Sequence, residues 1–223
     1  MFYWLATWLE ALGGPALFRF LTSRSLFAFV TAFLLGLWVG RPIITWLYRK
    51  GLRSEERKYQ ALDTGSKKGT PVMGGLILLA SGLGSALAWC DLSNPRIWVL
   101  IFAAIWFALV GGYDDYAKVR GGSAEAGMSR PVKLICQLGF GLALGFYIVW
   151  PAITPFPVEF AARFYVPFRQ DALVDLAQVH LLPDLSLAWL YLLGSAVVIG
   201  YSTNAVNFTD GLDGLTTVPC LLA

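Results

Sequence analysis

The chain has 223 residues, of which 57% are hydrophobic and 14% charged, with nine tryptophans and a net charge of +3. A soluble domain carries roughly a quarter charged residues, so this composition argues against an ordinary water-soluble enzyme. The basic residues lie beside apolar stretches, which argues against a nucleic-acid-binding surface as well.

In chain order, Met1–Ser25 is rich in aromatics and contains Gly13-Gly14-Pro15, which reads as an interfacial segment leading into a first span. It lacks the charged start, short apolar core and small-residue cleavage site of a signal peptide, so none is expected. Charge-poor stretches follow at Leu26–Gly40 (continuing past Arg41 to Tyr48), Val72–Cys90, Ile97–Tyr113, Leu134–Trp150 and Leu185–Tyr201. Most approach the ~17–25 residues that a helix needs to cross hydrocarbon. A sixth begins near Leu215. The expected fold is therefore an all-α polytopic integral membrane protein with five complete transmembrane helices and the start of a sixth, forming a single membrane domain over 1–223.

Charge sets the orientation. Arg49–Thr70 holds Arg49, Lys50, Arg53, Arg57, Lys58, Lys67 and Lys68 against Glu55, Glu56 and Asp63. Pro151–Ser186 holds only Arg163 and Arg169 against Glu159, Asp171, Asp175 and Asp184. The positive-inside bias places the first segment in the cytoplasm and the second outside. The amino terminus is then external, 49–71, 112–133 and 202–214 are cytoplasmic loops, and 151–186 is an external loop. That loop, punctuated by prolines, allows a small β-hairpin around Val158–Phe168 and a short helix near Asp171–Val179. His180, the only histidine, falls in it and reads as surface decoration. Cys90, Cys136 and Cys220 share no ligand-like spacing. Gly36/Gly40 and Gly141/Gly145 are small-xxx-small pairs suited to helix packing, and interfacial glycines allow a homodimer.

Four segments remain, and the topology brings all of them to the cytoplasmic side. Lys67–Gly75 joins a lysine pair to glycines around Thr70-Pro71, supplying mobile charge for phosphate and backbone N–H groups that approach oxygens closely. Asp114-Asp115 closes the third span, and carboxylates at a membrane boundary either cap it or do chemistry. An adjacent acidic pair can hold a hard divalent cation, or one acid can act as base beside a metal-holding neighbour. Lys133 opens the fourth span. In Asn204–Gly214, Asp210 and Asp213 are three apart, as are Asn204 and Asn207, a spacing that shares a helical face.

These motifs resemble the signatures of the polyprenyl-phosphate N-acetylhexosamine-1-phosphate transferase superfamily, and within it the phospho-N-acetylmuramoyl-pentapeptide transferases. Lys67–Gly75 matches the first signature, Asp114-Asp115 the acidic pair, Lys133 the lysine after it, and Asn204–Leu215 the second signature. Thr209 before Asp210, and the form Gly-Thr-Pro-Val-Met-Gly-Gly, favour the muramoyl branch over the branch that uses UDP-N-acetylglucosamine. Val72 stands where the family commonly has threonine, and Arg53–Ser66 lacks the usual Asp-Gly-Pro…Ser-His pattern. The resemblance implies ten spans, with a further acidic position and a histidine-rich motif in the later half, so the chain corresponds to an amino-terminal part.

It further implies transfer of phospho-N-acetylmuramoyl-pentapeptide from its UDP carrier to undecaprenyl phosphate, giving lipid I and UMP, at the cytoplasmic face of a bacterial inner membrane and with Mg2+. Asp114 and Asp115 would be catalytic. Lys67, Thr70, Lys133, Asn204, Asn207, Asp210 and Asp213 would bind substrate, and Asp114, Asp115 and Asp210 would hold the metal. Two alternatives stand: a sister transferase using UDP-N-acetylglucosamine, and a non-catalytic membrane protein such as a transporter or a truncated relic. A transporter would carry its polar groups near mid-span, whereas these lie at span ends.

Overall fold

A computed structural model describes residues 20–52, 72–121, 126–150, 152–154 and 188–209, the short segments 163–164, 174–175, 180–182 and 185–186, and positions 3, 4, 8 and 12. The chain divides into two compact units, Met1–Met128 and Ser129–Ala223. It is an all-α polytopic membrane protein. Four of its described helices are long and apolar enough to cross a membrane.

In the first unit, helix α1 spans Leu21–Arg49. The stretch between Arg24 and Arg41 carries no charge and is about 24 Å long at 1.5 Å per residue. Large apolar residues lie on its outer surface, with Phe29 70% and Trp38 77% exposed. Pro42 lies inside the helix and removes one backbone donor there. The helix ends in a Schellman arrangement. Leu52 donates its N–H to Leu47 O, Gly51 donates to Tyr48 O, and Gly51 has φ +71, a conformation that glycine adopts without a Cβ penalty.

Helix α2, Gly75–Trp89, has 15 residues, or about 22 Å. The apolar stretch Val72–Cys90 predicts a full span, but the helix is shorter. The backbone is extended at Cys90, and Met73 before the helix has a positive φ that no helix accommodates. Helix α2 packs antiparallel on α1 through small residues. A Cβ on Gly36 would touch Ser81, one on Gly40 would touch Ile77, and one on Gly84 would lie 3.3 Å from Leu35. Polar bonds then pin the pair: Ser85 Oγ donates to Ala28 O at 2.6 Å, and Trp89 Nε1 donates to Thr31 Oγ1 at 2.9 Å. Phe27 stacks on Trp89.

A capped turn leads into α3, Pro95–Gly121. Asp91 Oδ1 accepts from the N–H and hydroxyl of Ser93, and these bonds hold the Asp91 carboxyl below its ordinary range. Asn94 Oδ1 accepts the Arg96 N–H at 3.0 Å, with Pro95 at the first helical position, where its missing N–H costs nothing. The apolar stretch ends at Tyr113, yet the helix continues two turns further. Asp114 and Asp115 therefore sit within the helix and do not close it. The i,i+4 pairing of Asp114 with Lys118 and the basic last turn sustain these turns.

In the second unit, α4 spans Arg130–Val149 and α5 spans Ala188–Thr209. Lys133 lies in the first turn of α4 instead of preceding the helix. Gly141 and Gly145 are buried and form the packing seam that their spacing suggests. A Cβ on Gly141 would lie 2.5 Å from Ala196 Cα, and one on Gly145 would collide with Ser195 and Leu192. Ser195 Oγ donates to Gly141 O at 2.8 Å.

Between these helices, β1 (Arg163–Phe164) pairs antiparallel with β2 (Val174–Asp175), and β3 (His180–Leu182) with β4 (Leu185–Ser186). The hairpin thus reaches beyond the expected Val158–Phe168. Of the helix expected near Asp171–Val179, Val174–Asp175 is strand, with Asp175 across from Arg163 in the register, and the remainder lies outside the described residues. Likewise β4 takes Leu185–Ser186 from the expected fifth span. The start of the sixth, near Leu215, lies outside the described residues.

Replacing Gly141 by leucine forces α4 and α5 apart. The expected loss is about 1–3 kcal/mol of stability, measured by denaturation in bicelles. Gly139→Leu, which faces open space, should leave the melting curve unchanged.

Candidate active site

The acidic pair illustrates how helix phase separates two identical neighbours, because adjacent residues point about 100° apart. Asp114 is 6% exposed and fully engaged. Lys118 Nζ donates to its Oδ2 at 2.7 Å, and the backbone N–H of Met128 donates to its Oδ1 at 2.8 Å. The Asp115 side chain retains 35% exposure, with Lys118 Nζ 3.6 Å from its Oδ1. One ammonium therefore bridges both carboxylates. Asp114 acts as the anchor of this helix end, and Asp115 is the more open of the two.

The anchor needs a glycine. A Cβ on Gly127 would lie 2.6 Å from Asp114 Oδ1 and 2.9 Å from Lys118 Cε, so only glycine lets the chain past α3 come close enough for Met128 to reach the carboxylate. Neither Lys118 nor Gly127 stands out in the sequence. The i,i+4 spacing of Asp114 and Lys118 was the available signal for the lysine. A shallow open depression lined by Tyr113, Tyr116, Ala117, Arg120 and Gly121 occupies a different flank of the same helix end.

Part of the first signature is described. The Val72 N–H donates to Leu52 O at 3.1 Å, joining the two ends of the segment that carries Lys67 and Thr70. Those two residues lie outside the described residues. Met73 has φ +68, the left-handed region that L side chains avoid, directly before Gly74 and Gly75.

In the second unit, Asn204 Nδ2 donates to Gln137 Oε1 at 2.6 Å and to Gly200 O at 2.7 Å. Gln137 is 3% exposed and was not singled out in the sequence. Lys133 sits one turn from it on α4 and is half-buried. Position 207 lies on α5, one turn beyond Asn204. Asp210 and Asp213 lie outside the described residues, so of the predicted set the structure brings together Asp114 with Asp115, and it ties Asn204 to α4.

Among the described residues no group of three His, Cys, Asp or Glu could hold a metal ion. The acidic pair nevertheless fits Mg2+ chemically. That ion takes one or two carboxylates and completes its shell with water and substrate phosphate, and Asp115 retains access to solvent.

A family profile described as Glycosyl transferase family 4 matches residues 97–223. The chain is similar to a curated phospho-N-acetylmuramoyl-pentapeptide-transferase of Desulfotalea psychrophila, 35% identical over 224 residues that cover 100% of this chain and 57% of that protein. Proteins of the same name in Ruegeria pomeroyi and Maricaulis maris are 35% and 34% identical, covering 100% and 93% of this chain and 58% and 54% of theirs. The chain thus spans less than two thirds of the length of these relatives.

Two substitutions test the local geometry. Gly127→Ala should cost about 1–3 kcal/mol through its clash with Asp114 and Lys118, read as a lowered melting temperature in detergent. At Met73, glycine and alanine both remove the side chain, so their difference isolates the backbone. The glycine variant should be more stable by about 1 kcal/mol.

Proposed function

The chain belongs to glycosyl transferase family 4, and on that footing we propose that its protein transfers phospho-N-acetylmuramoyl-pentapeptide from UDP to undecaprenyl phosphate, releasing UMP. The reading is carried by similarity along essentially the whole chain to proteins bearing that name. An acidic pair about two turns before the end of a membrane-spanning helix supplies matching chemistry. In the reaction an oxygen of the lipid phosphate forms a bond to the sugar-bearing phosphorus of the donor. The bond between that phosphorus and the UMP oxygen breaks, and UMP leaves with the electron pair.

Two phosphorylated substrates repel one another, so the site must supply positive charge and exclude misaligned approach. Lys67 and Lys133 contact phosphate oxygens, and Thr70 donates a hydroxyl hydrogen bond. Asn207, Asp210 and Asp213 orient the nucleotide-sugar. Asp115 faces the lipid phosphate and accepts its proton where one is present, while Asp114 keeps the helix end in place through Lys118. Asp115, Asp114 and Asp210 are the residues that would hold Mg2+, which when bound neutralises phosphate charge. The family's membrane setting suits this division, since a lipid tail stays in hydrocarbon while its head meets a soluble nucleotide. The Lys/Arg excess of Arg49–Thr70 supports an inner-membrane protein with its amino terminus outside and its site in the cytoplasm.

The test uses the full-length protein in membranes with undecaprenyl phosphate. Asp115→Asn should lower turnover by about two to four orders of magnitude, the range for removing a positioned base or charge. Wild-type turnover in this variant removes Asp115 from the mechanism. Offering UDP-N-acetylglucosamine beside the muramoyl donor separates the branches: turnover of the former alone reassigns the protein to the sister activity, and turnover of neither marks a non-catalytic member.

A further inference from the structure

The packing of α4 on α5 runs as a ladder. Gly145 meets Ser195, Gly141 meets Ala196, Leu138 meets Gly200, and Gln137 meets Asn204. Each rung moves toward the start of α4 and the end of α5. One further turn sets position 133 opposite position 207. A seam of glycines alone does not fix which rung meets which, because small residues fit one another at several registers and rotations, and lipid adds no hydrophobic preference. A short amide–amide bond does fix it. Gln137 is buried, and in any shifted register its amide would lose its partner in a medium that offers no replacement.

We propose that Gln137 is a positioning residue that locks the register and rotation of α5 on α4 through Asn204, and that Asn204 is the other half of this lock instead of a substrate ligand. The amide of Asn204 is already committed, to Gln137 and to Gly200 O, as a registry element would be. The lock holds Lys133 and Asn207 across from each other, one turn beyond it. Its functional meaning rests on the substrate roles proposed for those two residues, whereas its existence does not.

The test measures proximity in the full-length protein, in membranes, with the native cysteines replaced by serine. Lys133→Cys and Asn207→Cys are combined, and the rate of bridging by a short bis-methanethiosulfonate is followed. Bridging is expected in this parent. Gln137→Leu should slow it about tenfold, in line with the strength of interhelical polar contacts in membranes. Asn204→Leu breaks the same bond from the exposed partner and should slow it equally, so a folding failure at buried Gln137 leaves the test intact. The exchanged pair Gln137→Asn with Asn204→Gln should restore the parental rate. Bridging at the parental rate in both leucine variants overturns the lock, as does a parent that fails to bridge.

Kinetics on the otherwise native full-length protein give a second readout. Positioning predicts that Gln137→Leu, Asn204→Leu and the double variant lower kcat alike. A raised KM for the UDP donor in Asn204→Leu alone returns Asn204 to the substrate contacts and sinks the proposal. Because bridging needs no turnover, a wrong assignment of the reaction leaves the first readout standing.

Discussion

Helices immersed in lipid gain little by hiding apolar side chains from one another, because the tails around them are as apolar as leucine. What holds them together is close backbone approach followed by a polar bond with nowhere else to go. Both units obey this constraint. In the first, Gly36, Gly40 and Gly84 bring α1 against α2 before Ser85 and Trp89 bond across. In the second, Gly141 and Gly145 bring α4 against α5, and Ser195 and Asn204 bond across. Every candidate residue in the described part of the molecule hangs from one of these helix pairs or from α3.

The same scarcity of water shapes the acidic pair. A carboxylate near the apolar boundary must have partners, and Asp114 has them on both oxygens. Its neighbour, turned about 100° around the helix, lies 3.6 Å from the same ammonium and keeps 35% of its side chain exposed. Two residues identical in type and adjacent in sequence thereby take on a structural and an available role. No residue-type motif distinguishes them, because the difference is one of phase.

The apolar spans were legible because the bilayer imposes composition on whatever crosses it. The glycine pairs were legible because small residues at four-residue spacing have few other uses there. Helix ends were not. Hydropathy reports where water begins, whereas helices continue into water when side-chain pairs support them, as α3 does through Lys118. Residues 174–175 read as helix because a short acidic stretch between prolines carries little periodicity, and pairing with Arg163–Phe164 decided the matter. Gln137, Gly127 and Lys118 escaped notice since each acts through a partner remote in sequence or through space that only a folded chain defines. The sequence suggests a substrate contact for Asn204, and its bond to Gln137 is visible only once α4 lies beside it.

The length of helix α2 bears on the lipid around it. Helix α2 covers about 22 Å, while the hydrocarbon of an ordinary bilayer is about 30 Å thick. A span that falls short makes its surroundings yield, and lipids beside it thin the sheet or flanking side chains stretch toward the surface, at a fraction of a kcal/mol per ångström. Helix α2 begins at Gly75, immediately after the glycine-rich signature. Where a helix this short crosses a bilayer, the shortfall would be met beside the signature itself, bringing lipid headgroups toward it.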